Sequence, residues 1–361
     1  MIYDFIANKL PVISILSSLS FRFSAALLTA LFISFVFGPK AIHYLKSNQV
    51  NGQPIRNDGP ESHPITKKGT PTMGGLVILS ALIISTVLWA KPSNVYVWTT
   101  LFINISFGII GFFDDWLKIN RKNIKGLKIK LKLACQFIVA TVATLAIIST
   151  VERTIAFGII VPLFNNILFN LDWFFIPFAI FTMIGTANAV NLTDGLDGLA
   201  IMPIIIIASV FALISYIASN TSLASHLHIY HLPNTGEMTI VCGALIGACL
   251  GFLWFNAPPA TVFMGDTGSL SLGATLGAIS IITKQELMLA IVGGLFIMET
   301  ISVVMQVASF KLTGKRIFRM SPLHHHFEKK GWQESTIVIR FWIIAIVLAL
   351  IGLSTLNFSL T

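Results

Sequence analysis

The sequence predicts an all-α polytopic membrane protein of about ten transmembrane helices, with both termini periplasmic. Three observations predict it. Of the 361 residues, 55% are hydrophobic and only 11% charged, whereas a soluble domain is about a quarter charged. The apolar residues fall in repeated blocks close to the ~20 residues that a helix needs to span a bilayer. The cations are clustered: 18 of 24 Lys and Arg lie in three segments, 39–72, 115–132 and 311–332. That clustering is the positive-inside pattern and puts the three segments on the cytoplasmic side. The net charge of +9 is therefore read as topology, with some attraction for anionic lipid or an anionic substrate, and not as a nucleic-acid surface.

Taken in order, 1–20 is a mixed start, read as an interfacial helix. Asp4 and Lys9 break its apolar run, so it does not read as a cleaved signal. Spans are expected near 22–38, 73–90, 95–113, 133–150, 173–190, 199–218, 239–255, 267–282, 287–310 and 337–356. Strict alternation places all three basic loops on one side, together with Asp114, Asp115, Asp194, Asp197 and Asp266. The connections 151–172 and 219–238, the latter with His226, His228 and His231, fall on the other side. No internal repeat or low-complexity linker divides the chain, so residues 1–361 read as one domain. Cys135, Cys242 and Cys249 lie in apolar runs without metal spacing and read as small core residues.

The chain is organised around 188–198, a polar, acidic and glycine-bearing stretch between two apolar runs. In a membrane chain such a stretch belongs at a mouth or lining a wet cavity. Asp194 and Asp197 are three apart, so one helical turn would put both carboxylates on one face. With Asn188 and Asn191 they suit a cationic or metal–phosphate ligand; the alternative is a capped turn with Asp194 as helix N-cap. Asp114 and Asp115 close span 3. Adjacent side chains diverge by about 100° on a helix, so the two serve different partners. Lys118, four after Asp114, can pair with it, which by itself could be a simple anchoring pair. Lys128, Lys130 and Lys132 read either as a membrane flank or as phosphate ligands. Asp266, between Gly265 and Gly268, suits Mg²⁺, which takes one or two carboxylates plus waters and phosphate oxygens; the alternative is an N-cap by Asp266 or Thr267. His324, His325 and His326 are consecutive, so their rings diverge and do not suggest zinc; hydrogen bonding or charge donation to phosphate is favoured. The glycines and threonines of 69–75, after Lys67 and Lys68, can present donors to an anion or simply cap a helix. No P-loop or HExxH occurs. The acids sit at span ends, which disfavours a proton relay. Glu299 is the exception, inside span 9, and reads as a structural partner in the bundle interior.

Six segments in this order, DGPESH, GTPTMGG, FFDDWLK, NAVNLTDGLDG, FNAPPATVFMGDTGSLSLG and HHHFEKKGW, closely resemble the phospho-N-acetylmuramoyl-pentapeptide transferase family. That family belongs to the polyprenyl-phosphate N-acetylhexosamine-1-phosphate transferase superfamily. The likeness runs from about residue 53 to 332, and HHHFE favours the muramoyl branch. One departure is 64–67, which is a residue longer than expected between His63 and Lys67.

The resemblance implies transfer of phospho-MurNAc-pentapeptide from a UDP carrier to undecaprenyl phosphate, giving lipid I and UMP in peptidoglycan synthesis. It implies Mg²⁺ as cofactor, a site at the cytoplasmic face of a bacterial inner membrane, and a homodimer. By that similarity Asp266 and Asn191 are the Mg²⁺ ligands. Asp114 is the base or lipid-phosphate partner and Asp115 supports the site. Asn188, Asn191, Asp194 and Asp197 line the nucleotide and catalytic cleft. Lys67, Thr72, Asn256 and Phe263 resemble nucleoside-site residues, with Phe263 stacking on uracil. Gln306 and His324–His326 resemble a phosphate-facing wall, and Lys118 and Lys132 diphosphate-binding lysines. Two other readings stay open: the same chemistry on UDP-GlcNAc, and a transporter of an anionic or nucleotide substrate. The transporter predicts mid-membrane polar sites and broken helices, and the sequence shows none beyond Glu299. A lipid-bound scaffold would leave the gathered acids and histidines unexplained.

Overall fold

The computed structural model describes residues 17–49, 52, 69–121, 126–161, 168–227 and 229–356. The expected interfacial helix before Ser17, together with Arg56, Asp58, Ser62, His63, Lys67, Lys68 and His228, lies outside them. Twelve helices carry the architecture: α1 (Leu19–Asn48), α2 (Gly75–Trp89), α3 (Val95–Asn120), α4 (Ile129–Thr150), α5 (Phe175–Thr193), α6 (Ile201–Ser219), α7 (Gly236–Asn256), α8 (Gly265–Ile282), α9 (Glu286–Val292), α10 (Gly294–Thr313), α11 (Leu323–Glu328) and α12 (Glu334–Ser354). Every expected span has a helix at its position. Among the described residues, eight helices are long and apolar enough to cross a membrane. The protein is an all-α polytopic membrane protein.

Two spans fall outside those eight for a physical reason. The 15-residue α2 is short. α8 is diluted by Gly, Ser and Thr, because it is buried along its whole length from Thr267 to Ile282 between α3 and α5. A helix surrounded by helices gains more from close backbone approach than from large side chains. α7 does the same against α1: Gly243, Gly247 and Gly251 recur every fourth residue and face Phe23, Leu27 and Ser34.

The structure corrects the sequence reading in two places. Span 9 is not one helix. It breaks at Gly293 into α9 and α10, where Gly293 N–H closes α9 on Leu289 and Gly293 C=O opens α10 to Phe296. Two adjacent glycines each cost about 1 kcal/mol in a helix interior relative to Ala, and here they mark the break. The second correction is a short antiparallel ribbon, Gly158–Ile160 with Leu168–Asn170, in the connection between α4 and α5. Cys242 and Cys249 are buried free thiols, as expected of core residues.

The two ends of the bundle differ. At one end, Arg22 of α1 makes a bidentate ion pair with Glu237 of α7, both bonds 2.9 Å. Glu237 also accepts the Lys91 N–H at 2.9 Å, which fastens the α2–α3 turn. Arg22 and Glu237 are 2% and 4% exposed, so removing one partner strands a buried charge. Glu237→Ala should therefore cost on the order of 3–5 kcal/mol, read as a lower melting temperature of detergent-solubilised protein. Replacing both residues by Met should recover part of the loss.

Candidate active site

At the opposite end, four helices meet through charged and polar side chains. The C-terminal turn of α3 brings Asp114, Asp115 and Lys118; α4 brings Lys132, α5 brings Asn191, and the first turn of α8 brings Asp266. One oxygen from each of Asp114, Asp115 and Asp266 lies within 4.8 Å of the others.

The two adjacent aspartates do different work, as their angular spacing requires. Asp115 is wholly buried and caps α8 from outside. It accepts Asp266 N–H at 3.1 Å, Thr267 N–H at 3.0 Å and the Thr267 hydroxyl at 2.8 Å. This replaces the expected N-cap by Asp266 or Thr267: both lie inside the helix, and Met264 is its N-cap. Asp114 instead accepts Leu127 N–H at 2.8 Å and pairs with Lys118 at 2.6 Å.

The lysines bridge the acids. Lys118 Nζ also lies 3.1 Å from Asp266 and 4.0 Å from Asp115. Lys132 Nζ lies 2.6 Å from Asp266 and 3.8 Å from Asp114. Asn191 Nδ2 donates to Asp266 Oδ1 at 3.0 Å and to the Ser269 hydroxyl at 2.8 Å. The Asp266 carboxylate is thus held from three sides. One turn deeper, Asn188 donates to Gln136 Oε1 at 3.0 Å, so its amide serves an α4–α5 contact.

Backbone geometry allows this crowding. Gly265 adopts φ 73°, and a β-carbon there would sit 2.6 Å from both Asp115 Oδ2 and the Thr72 hydroxyl. A β-carbon on Gly111 would strike the Asp266 carbonyl and lie 2.6 Å from Thr267 N. The segment around Thr72 pairs with the α7–α8 connection: Phe263 N–H donates to Pro71 O at 2.8 Å, and Gly74 N–H to Phe263 O at 2.9 Å. Thr72 is therefore buried beside the acidic cluster, with half-buried Phe263 next to it.

The central turn differs from the expected shape. Asp194 and Asp197 do not share a helical face: α5 ends at Thr193, Asp194 is its C-cap, and 195–200 is a non-helical turn before α6. Nor does Asp194 act as an N-cap. The cause is Gly198, whose φ of 72° turns the chain. Asp197 accepts Ala260 N–H at 2.9 Å. Asn256 joins the same two loops, accepting Gly198 N–H at 3.0 Å and donating to Val262 O at 2.9 Å.

The three histidines have separate polar partners, but contrary to expectation the His324 and His325 rings do not diverge: their centroids lie 4.2 Å apart. His324 is buried against Glu299 of α10. His325 Nδ1 lies 2.6 Å from Glu328. His326 Nδ1 accepts Arg319 N–H at 3.1 Å. Desolvation first, then the neighbouring Lys330 and Arg319, hold the His326 imidazole below its ordinary pKa, so the ring is neutral at pH 7. Gln306 is occupied with the 317–318 backbone: it accepts from Ile317 at 3.0 Å and Phe318 at 2.9 Å and donates to Phe318 O at 3.0 Å.

A cluster of acids, lysines and asparagine at one end of a helix bundle suits phosphate-bearing ligands. The model of glycosyl transferase family 4 matches residues 97–284, just over half of the chain. The chain belongs to glycosyl transferase family 4. The matched region carries Asp114, Asp115, Lys118, Lys132, Asn191 and Asp266. A second match, phospho-N-acetylmuramoyl-pentapeptide-transferase signature 1, covers residues 67–79 and includes Thr72. Together they place the protein in the polyprenyl-phosphate hexosamine-1-phosphate transferase superfamily, as a phospho-sugar transferase.

Asp115, more than any other side chain, decides where Asp266 sits. Asp115→Asn turns an amide toward N–H donors and leaves a buried donor unpaired, which costs about 1–3 kcal/mol. Gly111→Ala overpacks the same junction at a cost of about 1–3 kcal/mol. Both variants should melt measurably below wild type in detergent while retaining helical circular dichroism.

Proposed function

We propose that the enzyme transfers phospho-MurNAc-pentapeptide from UDP-MurNAc-pentapeptide to undecaprenyl phosphate, yielding lipid I and UMP. The observation that carries this reading is the set of two ammonium groups bridging three carboxylates, in a chain whose 67–79 segment bears the signature of that reaction. Both substrates are anionic and one is a lipid. The site lies at one end of an apolar bundle, where a water-borne nucleotide and a membrane-borne phosphate can meet. We assign that end to the cytoplasmic side of a bacterial inner membrane, on the clustering of Lys and Arg.

The donor set fits Mg²⁺. The three acids offer only hard oxygens, and Mg²⁺ prefers one or two carboxylates plus waters and phosphate oxygens. Asp115 is committed to the start of α8, so Asp266 and Asp114 would hold the ion, with Asn191 fixing Asp266 from the side. Bound there, Mg²⁺ would neutralise phosphate charge.

The residues perform the rest. Lys118 and Lys132 exchange their carboxylate contacts for phosphate oxygens and draw two mutually repelling anions together. A lipid phosphate oxygen then attacks the phosphorus that carries the sugar, and the bond from that phosphorus to the bridging oxygen breaks, releasing UMP. The second pKa of a phosphomonoester is about 6, so the nucleophile is already largely dianionic at pH 7. Asp114 therefore orients it, or removes a residual proton, in a single displacement. Thr72 and Phe263, adjacent at the mouth of the cluster, and Lys67 in the signature are assigned to the nucleoside, with uracil on the Phe263 ring. Asp194, Asp197 and the histidine segment form the remaining wall. Asn256 acts by joining its loops.

Purified protein in detergent, supplied with Mg²⁺, undecaprenyl phosphate and UDP-MurNAc-pentapeptide, should release UMP, and a chelator should stop it. UDP-GlcNAc should not substitute; turnover with UDP-GlcNAc would keep the chemistry and replace the donor. Asp266→Asn should lower kcat at least a hundredfold, in line with the loss of electrostatic groups worth about 10²–10³ in kcat. Near-normal turnover would remove Asp266 from its assigned role.

A further inference from the structure

Glu299 is wholly buried in α10, in a part of the bundle that contributes no acid to the cluster above. Its Oε1 accepts the His324 backbone N–H at 3.2 Å. Its Oε2 lies 3.3 Å from His324 Nδ1. A carboxylate inside a membrane bundle is expensive unless paired and is a functional candidate by default; here its hydrogen bond is to the His324 backbone, with the His324 ring alongside. His324 is itself wholly buried, and neither of its ring nitrogens, nor Glu299 Oε2, makes a hydrogen bond among the described residues. Its Nε2 abuts Gly195: a β-carbon there would strike Nε2 and lie 3.0 Å from Cε1. Gly195 directly follows Asp194, where the chain leaves α5. The His325 ring covers the other side of His324, with centroids 4.2 Å apart.

We propose that Glu299 is a positioning residue of the transferase: it fixes the His324 backbone and ring, and through that ring the Asp194–Gly195 turn, in the arrangement that receives the nucleotide donor. The proposal rests on the reading above, in which this turn and the histidine segment line the donor cleft. The chain of contact is continuous. Glu299 Oε2 lies beside Nδ1 without a hydrogen bond to it, and Nε2 is turned toward the Gly195 backbone. Glycine at 195 is what lets the ring approach. Gln306, seven residues after Glu299 and so on the same face of α10, anchors the 317–318 backbone, so one helix face holds both ends of the segment leading to the histidines.

Glu299→Gln is nearly isosteric and removes the negative charge beside the His324 ring. It should lower kcat/KM for the nucleotide donor roughly ten- to a hundredfold, the range for losing a hydrogen bond to a charged group, and leave KM for undecaprenyl phosphate within about twofold. Glu299→Asp, which keeps the charge, should recover part of the loss. Glu299→Gln combined with His324→Ala should be no worse than His324→Ala alone, because residues acting as one unit are not additive. In ¹⁵N-histidine-labelled protein, the His324 ring signals should change with Glu299→Gln. Unchanged donor kcat/KM, additive losses in the double variant, or an unaltered His324 signal would each overturn the proposal. The labelling arm needs no turnover. A wild-type protein inactive on both donors would therefore sink the donor reading, while the His324 signal would still decide whether Glu299 sets the ring.

Discussion

The N-terminus of α8 is a buried row of backbone donors that must be satisfied away from water, and one carboxylate from another helix satisfies it. Asp115 takes two N–H groups and a hydroxyl there. Most of the site follows from that contact. It locks α3 to α8, which is why Gly111 and Gly265 cannot carry side chains without collision. It presents Asp266 to Lys118, Lys132 and Asn191, and it leaves Asp114, one residue away and turned by about 100°, facing the open cluster. A single Asp-Asp pair thus divides into one residue that builds the site and one that is available for chemistry.

The bundle supports this junction by placing its polar side chains where partners wait. α8 is buried along its length because its small residues let α3 and α5 approach. The far end is closed by the Arg22–Glu237 pair and the turns it fastens. α10 has the opposite character. Much of its surface is exposed and apolar, including Ile301, Val304 and Phe310, and two of its buried polar side chains, Glu299 and Gln306, both grip the segment that ends in the histidines. The break at Gly293 lets α9 follow α12 while α10 packs on α5.

Charge organises the site in the same way. Three acids stand against two lysines, one carboxylate in excess, so the cluster is rich in groups that phosphate or a divalent cation can engage. Electrostatics prepared in this way cost little reorganisation when charge moves during a displacement. Asp197 and Asn256 take part differently: the loops between α5 and α6 and between α7 and α8 are tied together through them.

The sequence by itself determined the fold class and the places along the chain where the apolar helices lie. Apolar block length and cation clustering are local properties that a bilayer reads directly. It also determined that Asp114 and Lys118 would pair, since that follows from helical angles. Only the tertiary structure decided which acid caps α8, that Lys118 and Lys132 both reach Asp266, that the Asp194–Asp197 stretch is a turn held by Gly198, and that Glu299 belongs to His324. Those pairings join residues from 25 to 152 positions apart. They depend on which helix faces meet, and periodicity within one helix carries no record of its neighbour. The Gly293 break was missed for a related reason: two glycines in an apolar run are compatible with a continuous span until packing against α12 and α5 pulls its halves apart.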